Sequence, residues 1–336
     1  MLRHSKKSAI EIQFNWIFVL IAGTVIFVFI ISLILSQKKS VDIQVSQDVL
    51  RQLATNIKGK QQLSNTFSQM ETPKTTFTFT CDPADLTSDF KISGSQREQL
   101  PLEIIFAPKE FNTQTLNIWT LDFAVPFTVT RFIYITPPNM IFVIYNKTEQ
   151  YQTQSRLIYN TLPSNITKKF ASTPAELDKA LKGYTHYRVI CIENECNGVT
   201  QDYIRITPNT LSSDLFGYGT VIYRNGASIS SNINYIGAAS LFGAIFSDDE
   251  KYYTCEMSRA FKQFEIKRSL HQKRIELLQT DLGNGNICQF VLTPPSVILT
   301  NMKDKGLADA VDLYDFSNQL KNANTDLTFK GCPLIY

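Results

Sequence analysis

The chain has 336 residues, of which 43% are apolar, and it carries 33 Lys and Arg, 30 Asp and Glu and six cysteines. Three of the basic residues and one acid precede the first apolar segment, so the remainder holds 30 basic and 29 acidic residues, a net charge of about +1. Nucleic-acid binding needs a clustered basic footprint, and because the sequence shows none, this class of partner is excluded.

An uncharged apolar segment near the N-terminus runs from Phe14 to Ser36. As a helix it would measure about 35 Å, enough to cross a hydrocarbon core of roughly 30 Å. It is longer than the apolar part of a cleavable signal peptide and lacks a small-x-small exit, so we expect residues 14–36 to be a transmembrane anchor. The basic residues within 1–13 favour a cytoplasmic tail. We therefore expect a single-pass protein of the cell membrane that contacts the lipid bilayer and has its bulk outside the cytoplasm.

All six cysteines follow this segment, and an even number is typical of a disulfide framework in an exported protein. Cys191 and Cys196 flank Glu193 and Asn194. If these two residues form a hairpin turn, the cysteines face each other at a separation that a disulfide accepts. We therefore predict a bond between Cys191 and Cys196.

The other four cysteines allow no equally local argument. Cys255 and Cys288 flank a long predicted helix and form the next predicted pair. Cys81 and Cys332 then remain by subtraction. Because six cysteines allow 15 connectivities, these two pairings rest on position along the chain alone.

The patterns after the anchor change twice along the chain. Residues 37–70 combine a helical apolar spacing with a polar end, and we expect a juxtamembrane helix and linker. Residues 71–150 change to a period of two in runs of β-branched and aromatic residues, and we expect a β-rich, sandwich-like domain there. The runs are 75–80, 102–106, 116–121, 127–136 and 140–145.

Residues 151–336 mix helix and strand patterns and are expected to form an α+β domain. Capping boxes at Thr173 and Ser247 open two helices, and the second is a long helix over about 248–280. The predicted fold class is an α+β ectodomain on a single N-terminal transmembrane helix. Its first part is β-rich and its second part is mixed and contains the long helix.

The long helix carries a seam at steps of four and three, which is typical of a packed or coiled helix. Two polar residues, Arg268 and His271, interrupt this seam before Ile275 and Leu278. Polar members of a seam specify register or partner choice, so these four residues are candidates for contact with a protein partner or a second copy. The alternative is that the seam lies on the chain's own core. The apolar members before Arg268 are Met257, Phe261 and Phe264.

A search for chemical motifs assigns no catalytic residue, cofactor or zinc site. His186 and Cys191 are conceivable as a base and a nucleophile, but a strand-edge histidine and a disulfide cysteine explain them with fewer assumptions. The spacing of Cys191 and Cys196 does not fit a zinc finger.

Two acidic segments could suggest a metal site, but both are explained by local structure. The loop from Asp281 to Asn286 lacks the twelfth-position acid of a calcium loop. Asp248, Asp249 and Glu250 fall where the first turn of a helix favours acids. No metal ligand is therefore assigned.

Four segments resemble an uncharacterised family of single-pass membrane proteins from small-genome archaea. They are IQFNWIFVLIAG at 12–23, WTLDFAVPFTVTRFIYITPP at 119–138, LFGAIFSDDEKYYTCEMSRAF at 241–261 and GCPLIY at 331–336. The resemblance implies an archaeal envelope protein with an anchor and an ectodomain. It implies no activity and no site residues.

These observations favour a non-catalytic structural, assembly or interaction role at the cell envelope. One alternative is a pilin-like subunit of a surface filament, because archaeal pilins share a basic leader, an acid and a long apolar helix. A cut after Ser8, however, would place Glu11 third in the mature chain, where the fifth position is expected. The other alternative is a membrane-tethered extracytoplasmic enzyme.

Overall fold

The structure is a computed structural model that describes residues 16, 18–33, 51–56, 59, 65–93, 97–209, 215–283 and 285–336. Residues 16 and 18–33 are in helix α1, and residues 51–56 and 59 are also helical. The remaining parts of the predicted anchor and juxtamembrane helix lie outside the described residues.

The expected fold class is wrong, because the chain has a mixed α/β fold with two sheets and no helix in its described part is long and apolar enough to cross a membrane.

The first sheet has six strands in the order β3-β2-β1-β5-β6-β4. Burial alternates along β2 and the second half of β1, where Phe77 and Phe79 point inward and stack on Phe111. All pairs are antiparallel except β4 with β6. The strands are β1 Phe67–Asp82, β2 Thr87–Ile92, β3 Arg97–Gln99, β4 Ile104–Phe106, β5 Glu110–Ala124 and β6 Thr128–Thr136.

The second sheet has seven strands in the order β12-β11-β10-β9-β7-β8, with β13 beside β11. Strands β7 to β10 are mutually parallel, and β7 is buried along its whole length, as a covered parallel strand should be. The strands are β7 Met140–Tyr145, β8 Thr167–Ala171, β9 His186–Ile192, β10 Tyr203–Pro208, β11 Tyr218–Asn225, β12 Ser228–Ile229 and β13 Ile233–Ile236.

The run at 140–145 was expected to belong to a sandwich-like domain with the strands before it. It instead forms β7, the first strand of a parallel arrangement. The helices that follow it make this possible, because parallel neighbours need long crossover connections. Helix α2 returns the chain to β8 and α3 returns it to β9. The helices after β7 are α2 Gln152–Thr161, α3 Pro174–Leu181, α4 Gly237–Phe246, α5 Glu250–Asp281, α6 Ile287–Val291, α7 Thr293–Asn301 and α8 Ala310–Phe329.

Helix α4 lies in the core between the two sheets, and its last eight residues are all buried. Tyr134 of β6 donates its hydroxyl to the carbonyl of Ala239 at 2.7 Å, and Tyr223 of β11 donates to the carbonyl of Ala244 at 2.8 Å. Gly243 allows close packing on β4, because a Cβ there would lie 2.8 Å from the ring of Phe106. One continuous core thus joins both sheets to α4 and to the first half of α5.

Candidate functional site

The predicted long helix exists as α5, which begins and ends within two residues of the expected positions. Its N-cap is Asp249, whose carboxylate accepts the backbone N–H of Tyr252 at 2.8 Å. The neighbouring acids make different contacts. Asp248 forms an ion pair with Arg188, and Glu250 accepts a hydrogen bond from the hydroxyl of Ser231.

The seam of α5 faces the chain's own core. Met257, Phe261 and Phe264 are buried, and Phe264 stacks on Phe127, in the turn between β5 and β6, at 5.6 Å between ring centres. Ile275 is completely buried, and Leu278 is partly buried against the same core. The apolar members of the seam therefore hold α5 against the rest of the fold.

The two polar members of the seam also contact this chain. Arg268 is 6% exposed, forms an ion pair with Glu265 and donates to the carbonyl of Leu299 in α7 at 3.1 Å. His271 places Nδ1 3.1 Å from the carbonyl oxygen of Ile335. Burial lowers the pKa of His271, so the neutral ring is favoured. Both side chains thus attach the C-terminal part of the chain to α5.

The outer face of α5 carries a second apolar stripe, formed by Ile266, Leu270 and Leu277. Their side chains are 69%, 65% and 55% exposed. At about 100° per residue the three positions fall within about 40° of one another and extend over about 16 Å of helix. These three residues were not among the predicted contact residues, although their spacing of four and seven residues is itself a helical signal.

The charged residues beside this stripe are mainly basic. Lys262, Lys273 and Arg274 are exposed within about 80° of Ile266, and Glu276 and Asp281 are exposed acids in the same sector. Lys273 is paired with Glu276 at 3.0 Å. In the described part of the chain, Lys262 and Arg274 form no ion pair. We call the stripe and these charges the outer face of α5.

The structure pairs Cys191 with Cys196, as predicted, at a Cα separation of 5.5 Å. The predicted hairpin is wrong, because residues 193–196 form a 3₁₀ turn and the next strand, β10, runs parallel to β9. Such a turn brings positions five residues apart as close as a hairpin would.

The other two predicted pairings are wrong. Cys81 of β1 is bonded to Cys255 of α5, and Cys288 of α6 is bonded to Cys332 near the C-terminus. No free cysteine occurs in the described residues. The first bond joins the first sheet to α5 and the second fastens the C-terminal tail, so both connect elements that only the tertiary fold brings together.

A cleft of about 290 Å³ lies at the amino ends of β7 and β9. Arg188 forms an ion pair with Asp248 at 2.7 Å, and the same carboxylate accepts the backbone N–H of Lys109 at 2.7 Å. These contacts join β9, the loop before β5 and the start of α5. His186 lines the cleft, but its imagined partner Cys191 is oxidised in a disulfide. The remaining lining residues are Pro108, Met140, Thr185, Tyr187, Asp202 and Asn225.

The comparisons with known proteins give no relative for this chain. No family model, no curated protein and no solved structure matches it. Within the described part of the chain, no group of three or more His, Cys, Asp or Glu residues is arranged to hold a metal ion. The outer face of α5 is therefore the feature on which a function is best argued.

Proposed function

We propose that the protein is a non-catalytic interaction domain of an oxidising, extracytoplasmic compartment and that it binds a protein partner through the outer face of α5. The observation that carries this proposal is the exposed stripe of Ile266, Leu270 and Leu277. Exposed apolar groups that lie together on one face are typical of interaction sites.

The core of the chain does not need this stripe. The opposite side of α5 already supplies Phe264 and Ile275 to the interior, and Arg268 fastens the helix to α7. Leaving Leu270 and Leu277 in water brings no gain to the folded monomer. Covering them with a partner would remove apolar area from water at about 25 cal/mol per Å².

The charge of the outer face favours an acidic partner over a second copy. Lys262, Lys273 and Arg274 outnumber Glu276 and Asp281 by one, so the face has a net positive charge that a second copy would share. Like charges across an interface cost several kcal/mol, whereas opposite charges steer association. The partner that fits is a helix with apolar residues at steps of three and four and acidic residues beside them.

The disulfides support the oxidising compartment. All six cysteines are paired in three bonds, and such bonds persist outside the reducing cytosol. Disulfides also restrict the motion of the fold, which lowers the entropy lost when a rigid surface binds a partner.

Photo-crosslinking in the cells that produce the protein tests this proposal. A photoreactive amino acid replaces Leu270, and the matched control carries it at Ile229 of β12, which is 63% exposed. We expect position 270 to attach one partner whose crosslinked peptide is acidic and apolar at helical spacing. Crosslinks that join only copies of this chain, or that form equally from position 229, would refute the proposal.

A further inference from the structure

The parallel part of the second sheet changes its winding direction between β7 and β9. The chain moves from β7 outward to β8, then crosses back to β9 on the other side. Helix α2 packs on one face of the sheet through Ile158 and α3 packs on the other through Leu177. In open α/β sheets, ligands bind in the crevice that such a reversal opens at the carboxyl ends of the strands.

In this chain a carboxylate of its own fills that crevice. Glu195, in the turn after β9, accepts the backbone N–H groups of Lys147 and Thr148 at 2.5 and 3.2 Å. It also accepts the hydroxyl of Thr148 at 2.5 Å. Its side chain is 6% exposed, and no ion pair to it occurs in the described residues. Three donors thus converge on one buried anion, an arrangement that proteins use to bind phosphate and carboxylate groups.

Two further observations point to a ligand at this place. The hydroxyl of Tyr145, at the end of β7, is buried and has no hydrogen-bond partner. Burial, and after it the negative charges of Glu195 and Glu176, raise the pKa of Tyr145, so this hydroxyl stays protonated and can donate. A cavity of about 280 Å³ opens at the ends of β7 and β8 and is lined by Asn146, Arg156, Ser172 and the acid Glu176 among others.

We propose that the loop after β7, with Lys147, Thr148 and Tyr145, is a binding site for the phosphate or carboxylate group of a small ligand. Glu195 is a tethered competitor in this site, and the ligand displaces it. The adjacent cavity then receives the rest of the ligand, with Arg156 at its edge. This site is separate from the outer face of α5 and does not depend on it.

The position of Glu195 is restricted because the turn that carries it is short and closed by a disulfide. Cys191 and Cys196 are bonded on either side of Glu195, at a Cα separation of 5.5 Å. A tethered group has an effective concentration in the millimolar range or above. Glu195 therefore keeps the affinity of the site for free anions low.

The test uses the full chain with Glu195→Gln and Glu195→Ala. Glu193→Gln is the matched control, since it removes a charge from the same turn without touching the loop. Inorganic phosphate and acetate are titrated separately at constant ionic strength, and binding is followed by the amide signals of Lys147 and Thr148 in NMR spectra. We expect both Glu195 variants to bind one of the anions at least about tenfold more tightly than the control.

The preferred anion identifies the ligand group, phosphate or carboxylate. Affinities equal to that of the Glu193→Gln control would overturn the proposal and leave Glu195 with a purely structural role. Thermal unfolding of each variant shows whether it is folded. If the Ala variant does not fold, the Gln variant decides, because it keeps the shape of the side chain and still weakens the competing hydrogen bonds.

Discussion

Arg259 and Glu256, three residues apart on α5, form a buried ion pair on the side of the helix that faces the first sheet. Their side chains are 4% and 0% exposed, and the guanidinium donates to Glu256 at 2.6 Å. Arg259 also donates to the carbonyl oxygens of Leu100 and Glu103. These bonds offset much of the cost of burying the charge. Arg259 thus links the loop before β4 to the helix that carries the outer face.

The buried carboxyl predicts a specific dependence of stability on pH. Burial raises the pKa of Glu256 from 4.5 to about 7, against the lowering effect of Arg259. Between these values the folded protein holds a proton that the unfolded chain has released, so the contribution of Glu256 to stability falls as the pH rises from about 4.5 to about 7. We expect urea unfolding of the wild type to lose stability over this range relative to Glu256→Gln. A difference that stays constant with pH would show that the carboxyl has an ordinary pKa.

At the scale of single elements, the two sides of α5 predict opposite mutational effects. Ile275 is fully buried and Leu277, two residues later, is 55% exposed. Ile275→Ala should lower the free energy of unfolding by about 2–5 kcal/mol, because it leaves a cavity in the core. Leu277→Ala should change it by less than about 0.5 kcal/mol. Equal losses from both variants in denaturant unfolding would mean that the outer stripe is part of the core.

Local sequence patterns predicted the individual helices and strands well, but they predicted poorly which elements lie next to each other in the fold. The capping acids and the spacing of apolar residues located α5, and the short Cys191–Cys196 separation identified a bond that needs no tertiary information. The prediction of an antiparallel sandwich was wrong at Met140–Tyr145, where the uninterrupted apolar run is typical of a buried parallel strand. The sheet order and the crevice after β7 depend on crossovers, which no single segment encodes.

The pairings of the distant cysteines failed for the same reason. Cys81 lies 174 residues from its partner, and only the packing of β1 against α5 decides that the partner is Cys255. The donors that surround Glu195 come from another loop, 47 and 48 residues away. Neither arrangement leaves a signal in the spacing of residues.

At the scale of the whole molecule, the disulfides should differ in what they contribute. In the chain-entropy account, closing the loop of 174 residues stabilises by about 5 kcal/mol and closing the loop of 5 residues by about 2 kcal/mol. Replacing Cys81 and Cys255 with Ala should therefore reduce the free energy of unfolding more than replacing Cys191 and Cys196. Guanidinium unfolding measures both, and the reverse order would show that native-state contacts outweigh the chain entropy.

In the proposed function, the outer face of α5 selects its partner by apolar contact and basic charge. The most direct test is the crosslinking yield from position 270 in Lys262→Glu/Arg274→Glu, compared with Lys182→Glu/Lys321→Glu, which makes the same change in net charge at exposed residues elsewhere. We predict about a tenfold lower yield for the first pair and an unchanged yield for the second, because reversed charges repel an acidic partner. An unchanged yield from the first pair would contradict the claim.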